Sequence, residues 1–136
     1  MAKQVVIYTD GGARNNPGPA GAGVVIIDEK KKVTLKKYLG SQTNNWAEYE
    51  AVVLALSEAK RLGLGGRPLE VRMDSKLVVE QILGNWKIKE PTLKPQAAKV
   101  RALLAADFPK YHFVHIPREE NAEADALVNE VLDSSR

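Results

Sequence analysis

Residues 7–26 read IYTDGGARNNPGPAGAGVVI. The apolar, β-prone run Val5–Tyr8 leads into a single carboxylate, Asp10. Gly11 and Gly12 follow, then the turn formers Asn15-Asn16-Pro17-Gly18, then a second apolar run. The first run reads as a buried strand, which leaves Asp10 at its end. Two explanations compete for that residue. One is an Asx-type turn into the glycines. The other is a ligand position, because ligands of open α/β sheets gather at strand ends.

Outward from this stretch, Gly23–Asp28 and Val33–Leu39 flank the charged turn 29–32 and predict a hairpin. Segment 45–62 has helical composition, with an apolar stripe of Val52, Val53, Leu56, Ala59 and Leu62 ended by Gly63, Gly65, Gly66 and Pro68. A strand over 69–73, a helix over 75–83, a loop over 84–91 and a helix over 92–106 follow. A strand over 111–116 and a last helix over 121–132 complete the chain. The order βββαβααβα predicts an α/β fold: an antiparallel meander joined to parallel strands by helical crossovers.

The chain has 136 residues, 44% of them hydrophobic and 27% charged, enough for a single domain over 1–136 with a real core. No apolar stretch approaches the length of a membrane span, and the start MAKQVVIYTD lacks the pattern of a signal peptide. There is no cysteine, which excludes disulfides, thiolate metal sites and cysteine nucleophiles and agrees with a cytoplasmic setting. A monomer is expected. The net charge of +3 permits a polyanionic partner. Lys30, Lys31 and Lys32 sit at the hairpin tip, where solvated lysines protect a sheet edge.

Three further acids share the ambiguity of Asp10. Glu48 fits a capping box with Asn45 as N-cap, yet it lies on the helix face of Val52, Ala55 and Ala59. Asp74 is positioned to cap the helix after it, and it also ends a strand, as Asp10 does. Asp125 lies one turn into the last helix, with Val128 and Leu132 at i+3 and i+7. If the four converge, they cannot all stay ionised without a cation, because like charges in a desolvated site raise one another's pKa. Hard oxygen donors with no cysteine select Mg²⁺ or Mn²⁺ over zinc. Two such ions about 4 Å apart form the clamp used for displacement at phosphodiesters. His112 and His115, one strand repeat apart, read as structural.

The segments TDGGARNNPGPAGAG (9–23), TNNWAEYEA (43–51), MDSKLV (73–78) and ENAEADAL (120–127), in this order and spacing, resemble ribonuclease H of type 1. The resemblance covers nearly the whole chain. It implies the ribonuclease H-like fold, a five-stranded mixed sheet with helices on both faces, and cleavage of the RNA strand of RNA–DNA hybrids to 5′-phosphate and 3′-hydroxyl ends. It implies that Asp10, Glu48, Asp74 and Asp125 hold two ions, Mg²⁺ with Mn²⁺ as substitute. Asp10 would bridge the pair, Asp125 would help hold the ion on the nucleophile side, and Glu48 and Asp74 would hold the other. It further implies that Gly11, Gly12, Asn15, Asn16, Thr43, Asn44 and Asn45 contact the hybrid, where short amides and hydroxyls suit 2′-hydroxyls and minor-groove edges. A binding module without catalysis would be expected to lack one of the acids, and all four are in place.

The chain departs from the family pattern in three places. Many members carry a histidine in the loop before the last helix. Here the segment is His115-Ile116-Pro117-Arg118, and Arg118 is preferred for that place, in an electrostatic role, since arginine cannot serve as a base. The long basic protrusion of larger members is missing; residues 84–91 connect the helices, with Lys87, Lys89 and Lys94 nearby. Ser41 stands where some relatives have an arginine in the DNA-phosphate pocket, which leaves Thr43 to form it. Lys76 is placed either to reach a phosphate or to sit in solvent. Trp86 is placed either in the core, the preferred reading, or to stack on a sugar of the DNA strand.

Overall fold

The computed structural model describes residues 3–134. Five strands, β1 (Val5–Ala13), β2 (Gly18–Asp28), β3 (Lys31–Gln42), β4 (Leu69–Met73) and β5 (Tyr111–His115), form one sheet in the order β3-β2-β1-β4-β5. The β1–β2 and β2–β3 pairs are antiparallel, and the β1–β4 and β4–β5 pairs are parallel. Helices α1 (Asn44–Arg61), α2 (Lys76–Ile82), α3 (Lys94–Asp107) and α4 (Ala122–Ser134) complete the fold, with 3₁₀ turns at Pro91–Leu93 and Arg118–Asn121.

Neighbouring residues of a strand point to opposite faces, and the glycines of β1 show which helix covers each. A Cβ on Gly11 would lie 2.2 Å from the Ala47 carbonyl of α1, whereas one on Gly12 would face Val128 of α4. Helices therefore lie on both faces. On the α1 face, Val5, Ile7, Val24, Ile26, Leu69 and Val71 pack against Val52, Leu56 and residues of α2 and α3 in one core. Each fully buried Val, Ile or Leu there contributes about 1.5–3 kcal/mol.

The α4 face is thinner. Its buried apolar cluster is Val128, Val131 and Leu132. Ion pairs Lys32–Glu123, Lys36–Glu130 and Arg14–Asp133 flank it, but all are well exposed, and such pairs contribute at most about 1 kcal/mol each. The close seat of α4 on β2 matters more. A Cβ on Gly21 would lie 2.5 Å from Val131, and one on Gly23 would lie 2.4 Å from the Ala124 carbonyl. The helix can sit there only because β2 has no side chains at those points.

Several element ends differ from expectation. β1 does not stop before Asp10; it runs on to Ala13, because β2 pairs with it as far as Ala13↔Ala20. Both hairpin strands are correspondingly longer than their apolar runs. Helix α1 is capped by Thr43, whose hydroxyl accepts from the Trp46 amide at 3.2 Å, and not by Asn45. Helix α2 is capped by Ser75, whose hydroxyl accepts from the Val78 amide at 3.3 Å, and not by Asp74. In α1, Leu62 lies beyond the last turn and is exposed, and Val53 is only half-buried. Trp86 is not in the core; it is 44% exposed.

A Gly23→Ala substitution sets a methyl against helix backbone that cannot rotate away. It should destabilise the protein by about 1–3 kcal/mol, read as a lower urea midpoint, with the far-ultraviolet circular dichroism retained.

Candidate active site

The parallel ladder between β1 and β4 has its last pair at Tyr8↔Arg72. From Thr9 onward β1 keeps β2 on one side but has outrun β4 on the other. Its backbone groups on that edge still need partners, and three side chains supply them at every second residue. Asn121 Nδ2 donates to the Thr9 carbonyl at 2.8 Å. The Gly11 amide donates to Glu48 Oε1 at 2.5 Å. The Ala13 amide donates to Asn44 Oδ1 at 2.7 Å. Asp10 stands between the first two of these clamps.

Two glycines let the helices close in. Gly11 admits the Ala47 carbonyl of α1, one residue before Glu48. Gly23, paired with Asp10 across the sheet, admits the Ala124 carbonyl of α4, one residue before Asp125. The caps free the remaining positions: with Thr43 and Ser75 serving the helix ends, Glu48 and Asp74 are not held there.

Asp10, Glu48 and Asp74 each offer an oxygen, and these atoms lie within 4.8 Å of one another. Asp125 lines the same cleft and acts on the Asp10 carboxyl; Arg118 Nη2 lies 4.0 Å from its Oδ1, and Asn129 Nδ2 lies 3.4 Å from its Oδ2. Asp10 and Glu48 are each only 7% exposed. Burial, then the charges of Asp74 and Asp125, push the Asp10 carboxyl up from its ordinary 3.8 to about 8. Burial, then Asp10 and Asp74, likewise hold Glu48 well above the usual carboxylate range. All the donors are hard oxygens, and their mutual repulsion calls for a cation. The set therefore fits a hard divalent cation.

The acids open on a cleft of about 540 Å³, walled also by Gly11, Gly12, Asn44, Asn45, Ser75 and Arg118. Asn15, Asn16 and Thr43 lie beside it and not in its wall. Asn16 Oδ1 accepts from the Asn44 amide at 2.9 Å, which ties the turn after β1 to the start of α1. Asn15 has φ +69°, a left-handed conformation that asparagine tolerates. Lys76 and Trp86 form an exposed pair, with Nζ 5.9 Å from the ring centroid. His115 lies in β5, paired with Met73 and outside the cleft wall. Arg14 and Asn129 also line the cleft. The spacing of Asn129, four residues after Asp125 on one helix, was a usable signal for its place. Asn121 lies in the segment ENAEADAL, where an asparagine before a helix reads as an ordinary cap.

A mixed five-stranded sheet with carboxylates gathered where β1 outruns β4 defines the ribonuclease H-like class. A family model described as reverse transcriptase-like matches residues 8–131. The chain is 38% identical to ribonuclease HI of Halobacterium salinarum, over 97% of this chain and 66% of that one. LC11-RNase H1, solved in complex with an RNA/DNA hybrid, superposes with a TM-score of 0.92 at 51% identity, covering 96% of this chain and 98% of that chain. A bifunctional protein of Mycobacterium tuberculosis is 42% identical over 97% of this chain, which spans only 36% of that relative's length. The chain belongs to the ribonuclease H type 1 family, in a compact form in which a short segment replaces the basic protrusion. No helix among the described residues is long and apolar enough to cross a membrane.

The raised Asp10 pKa has a definite sign. The folded, metal-free protein keeps a proton that the unfolded chain releases near pH 4, so this stability is present below about pH 4 and is lost as pH rises through about 8. The melting temperature of Asp10→Asn should therefore exceed the parent's by a margin that grows from acid to pH 8. Mg²⁺ should raise the parent's melting temperature at pH 8 and leave that of Asp10→Asn nearly unchanged.

Proposed function

We propose that this chain hydrolyses the RNA strand of RNA–DNA hybrids endonucleolytically, leaving 5′-phosphate and 3′-hydroxyl ends. The convergence of Asp10, Glu48 and Asp74 on a desolvated strand edge, with Asp125 in the same cleft, carries this reading, and the hybrid bound to LC11-RNase H1 supports the choice of substrate. Asp10 would bridge two divalent ions, with Asp125 on the nucleophile side and Glu48 and Asp74 on the other. When bound, such ions neutralise the scissile phosphate, lower the pKa of water and stabilise the leaving 3′-oxygen.

The chain's own groups bind and orient. The backbone at Gly11 and Gly12 carries no side chain and admits a close strand. In Asn16 and Asn44 the amide oxygen is engaged by a protein N–H, which leaves Nδ2 donors for acceptors on RNA. Asn15, Thr43 and Asn45 extend this polar wall along the minor groove, where shape and 2′-hydroxyls are read more than sequence. Lys76 and Trp86, both exposed, would meet the DNA strand: a cation for phosphate and a ring for the sugar. Arg118, beside Asp125, would stabilise charge on the phosphate and on the departing product.

A labelled hybrid, duplex RNA and duplex DNA, each incubated with and without Mg²⁺, test the reading. Only the RNA of the hybrid should be cut, and only with metal. An intact hybrid under these conditions would falsify it. Arg118→Ala should lower kcat by about 10²-fold, while His115→Ala leaves kcat unchanged. The reverse result would move the assisting role to His115.

A further inference from the structure

We propose that Asn121 is a positioning residue that couples the two halves of the carboxylate cluster, setting its affinity for divalent cations. The inference rests on the reading of that cluster as a metal site. Asn121 is 1% exposed, and its amide makes the one side-chain bond that ties the Arg118–Asn121 turn to β1 among the described residues. The acceptor is the carbonyl of Thr9, the residue next to Asp10, and the two are 112 positions apart in sequence. Asp125 lies four residues after Asn121 and Arg118 three before it. This hydrogen bond ties β1, next to Asp10, to the turn that leads directly into Asp125, and so adds to the glycine seat of α4 in fixing the two acids against each other.

Two further observations favour geometry over simple stability. The turn has no side-chain cap at its start, so the Asn121 bond is not duplicated by local capping. Asn121 Oδ1 and Thr9 Oγ1 are both buried without a hydrogen-bond partner. Among protein groups the Asn121 side chain makes a single bond, and that bond goes to the carbonyl beside Asp10. What it supplies is a donor with a fixed direction, aimed at a carbonyl that β4 no longer covers. Without it, the start of α4 keeps its seat on β2 but loses its tie to β1, and Asp125 can shift relative to Asp10.

The test compares the parent with Asn121→Ala by calorimetric titration of Mn²⁺ without substrate, by steady-state cleavage of a hybrid, and by thermal unfolding. All measurements of binding and rate are made well below the variant's melting temperature. A positioning role predicts a 10–100-fold weaker Mn²⁺ affinity, a matching loss in kcat with KM little changed, and partial recovery of both in Asn121→Gln, which restores an amide. Parental Mn²⁺ affinity and kcat beside a lowered melting temperature would overturn it and leave Asn121 a fold clamp only. If Asn121→Ala does not fold, Asn121→Ser, whose hydroxyl keeps the pocket polar, is read by the same criteria. Should the parent bind Mn²⁺ but cut no hybrid, the proposed reaction fails, and the titration still decides the role of Asn121.

Discussion

The site depends on one unequal pairing: β1 is longer than β4. A central strand that outruns its neighbour exposes backbone groups inside the protein, and buried N–H and C=O groups must be paired. Three side chains from two other elements make those bonds, Asn121 from the turn before the last helix and Asn44 and Glu48 from α1. The same strand extension carries Asp10 into the gap left beyond β4. Strand edge and acid cluster are thus one feature. The backbone needs donors and acceptors at that point, and the residues that satisfy it converge on Asp10.

Glycine makes the convergence possible. Helix backbones approach β1 and β2 to distances that a methyl group would block at Gly11 and Gly23. Each contact falls one residue before an acid, Glu48 in α1 and Asp125 in α4. The two faces are not equally held. α1 is anchored in a large core shared with α2 and α3, while α4 rests on three apolar side chains and the glycine seat. The element that brings Asp125 is therefore the one with least packing behind it, which gives the Asn121 bond more weight than a single hydrogen bond would carry elsewhere.

The cluster also opposes the fold. Asp10 and Glu48 are desolvated and close to other carboxyls, so in the metal-free protein proton uptake relieves the repulsion. A divalent cation relieves it without neutralising the ligands by protonation. The core on the α1 face can tolerate the opposition, because each of its many buried aliphatic residues contributes about 1.5–3 kcal/mol.

Read from the amino-acid order alone, the β-meander, the crossover helices and the four acids were all visible, since hydrophobic period and turn chemistry are local properties. The inward direction of Glu48 was legible too, because Val52, Ala55 and Ala59 share its helix face. The true end of β1 was not. Gly11, Gly12 and Ala13 lack strand propensity, and only pairing with β2 keeps them extended. The exact caps were not legible either: capping was readable within Thr43-Asn44-Asn45 and at Asp74, but the choice of Thr43 and Ser75 depends on where the preceding strand delivers the chain. Trp86, read as core, lies 44% exposed in the segment joining α2 to α3, where its ring meets the Lys76 ammonium. Composition and periodicity determined the elements and the chemistry on offer. Tertiary structure alone decided that β1 outruns β4, and that inequality, a long-range pairing no local pattern encodes, is what brings Asp10, Glu48 and Asp74 together in one cleft with Asp125.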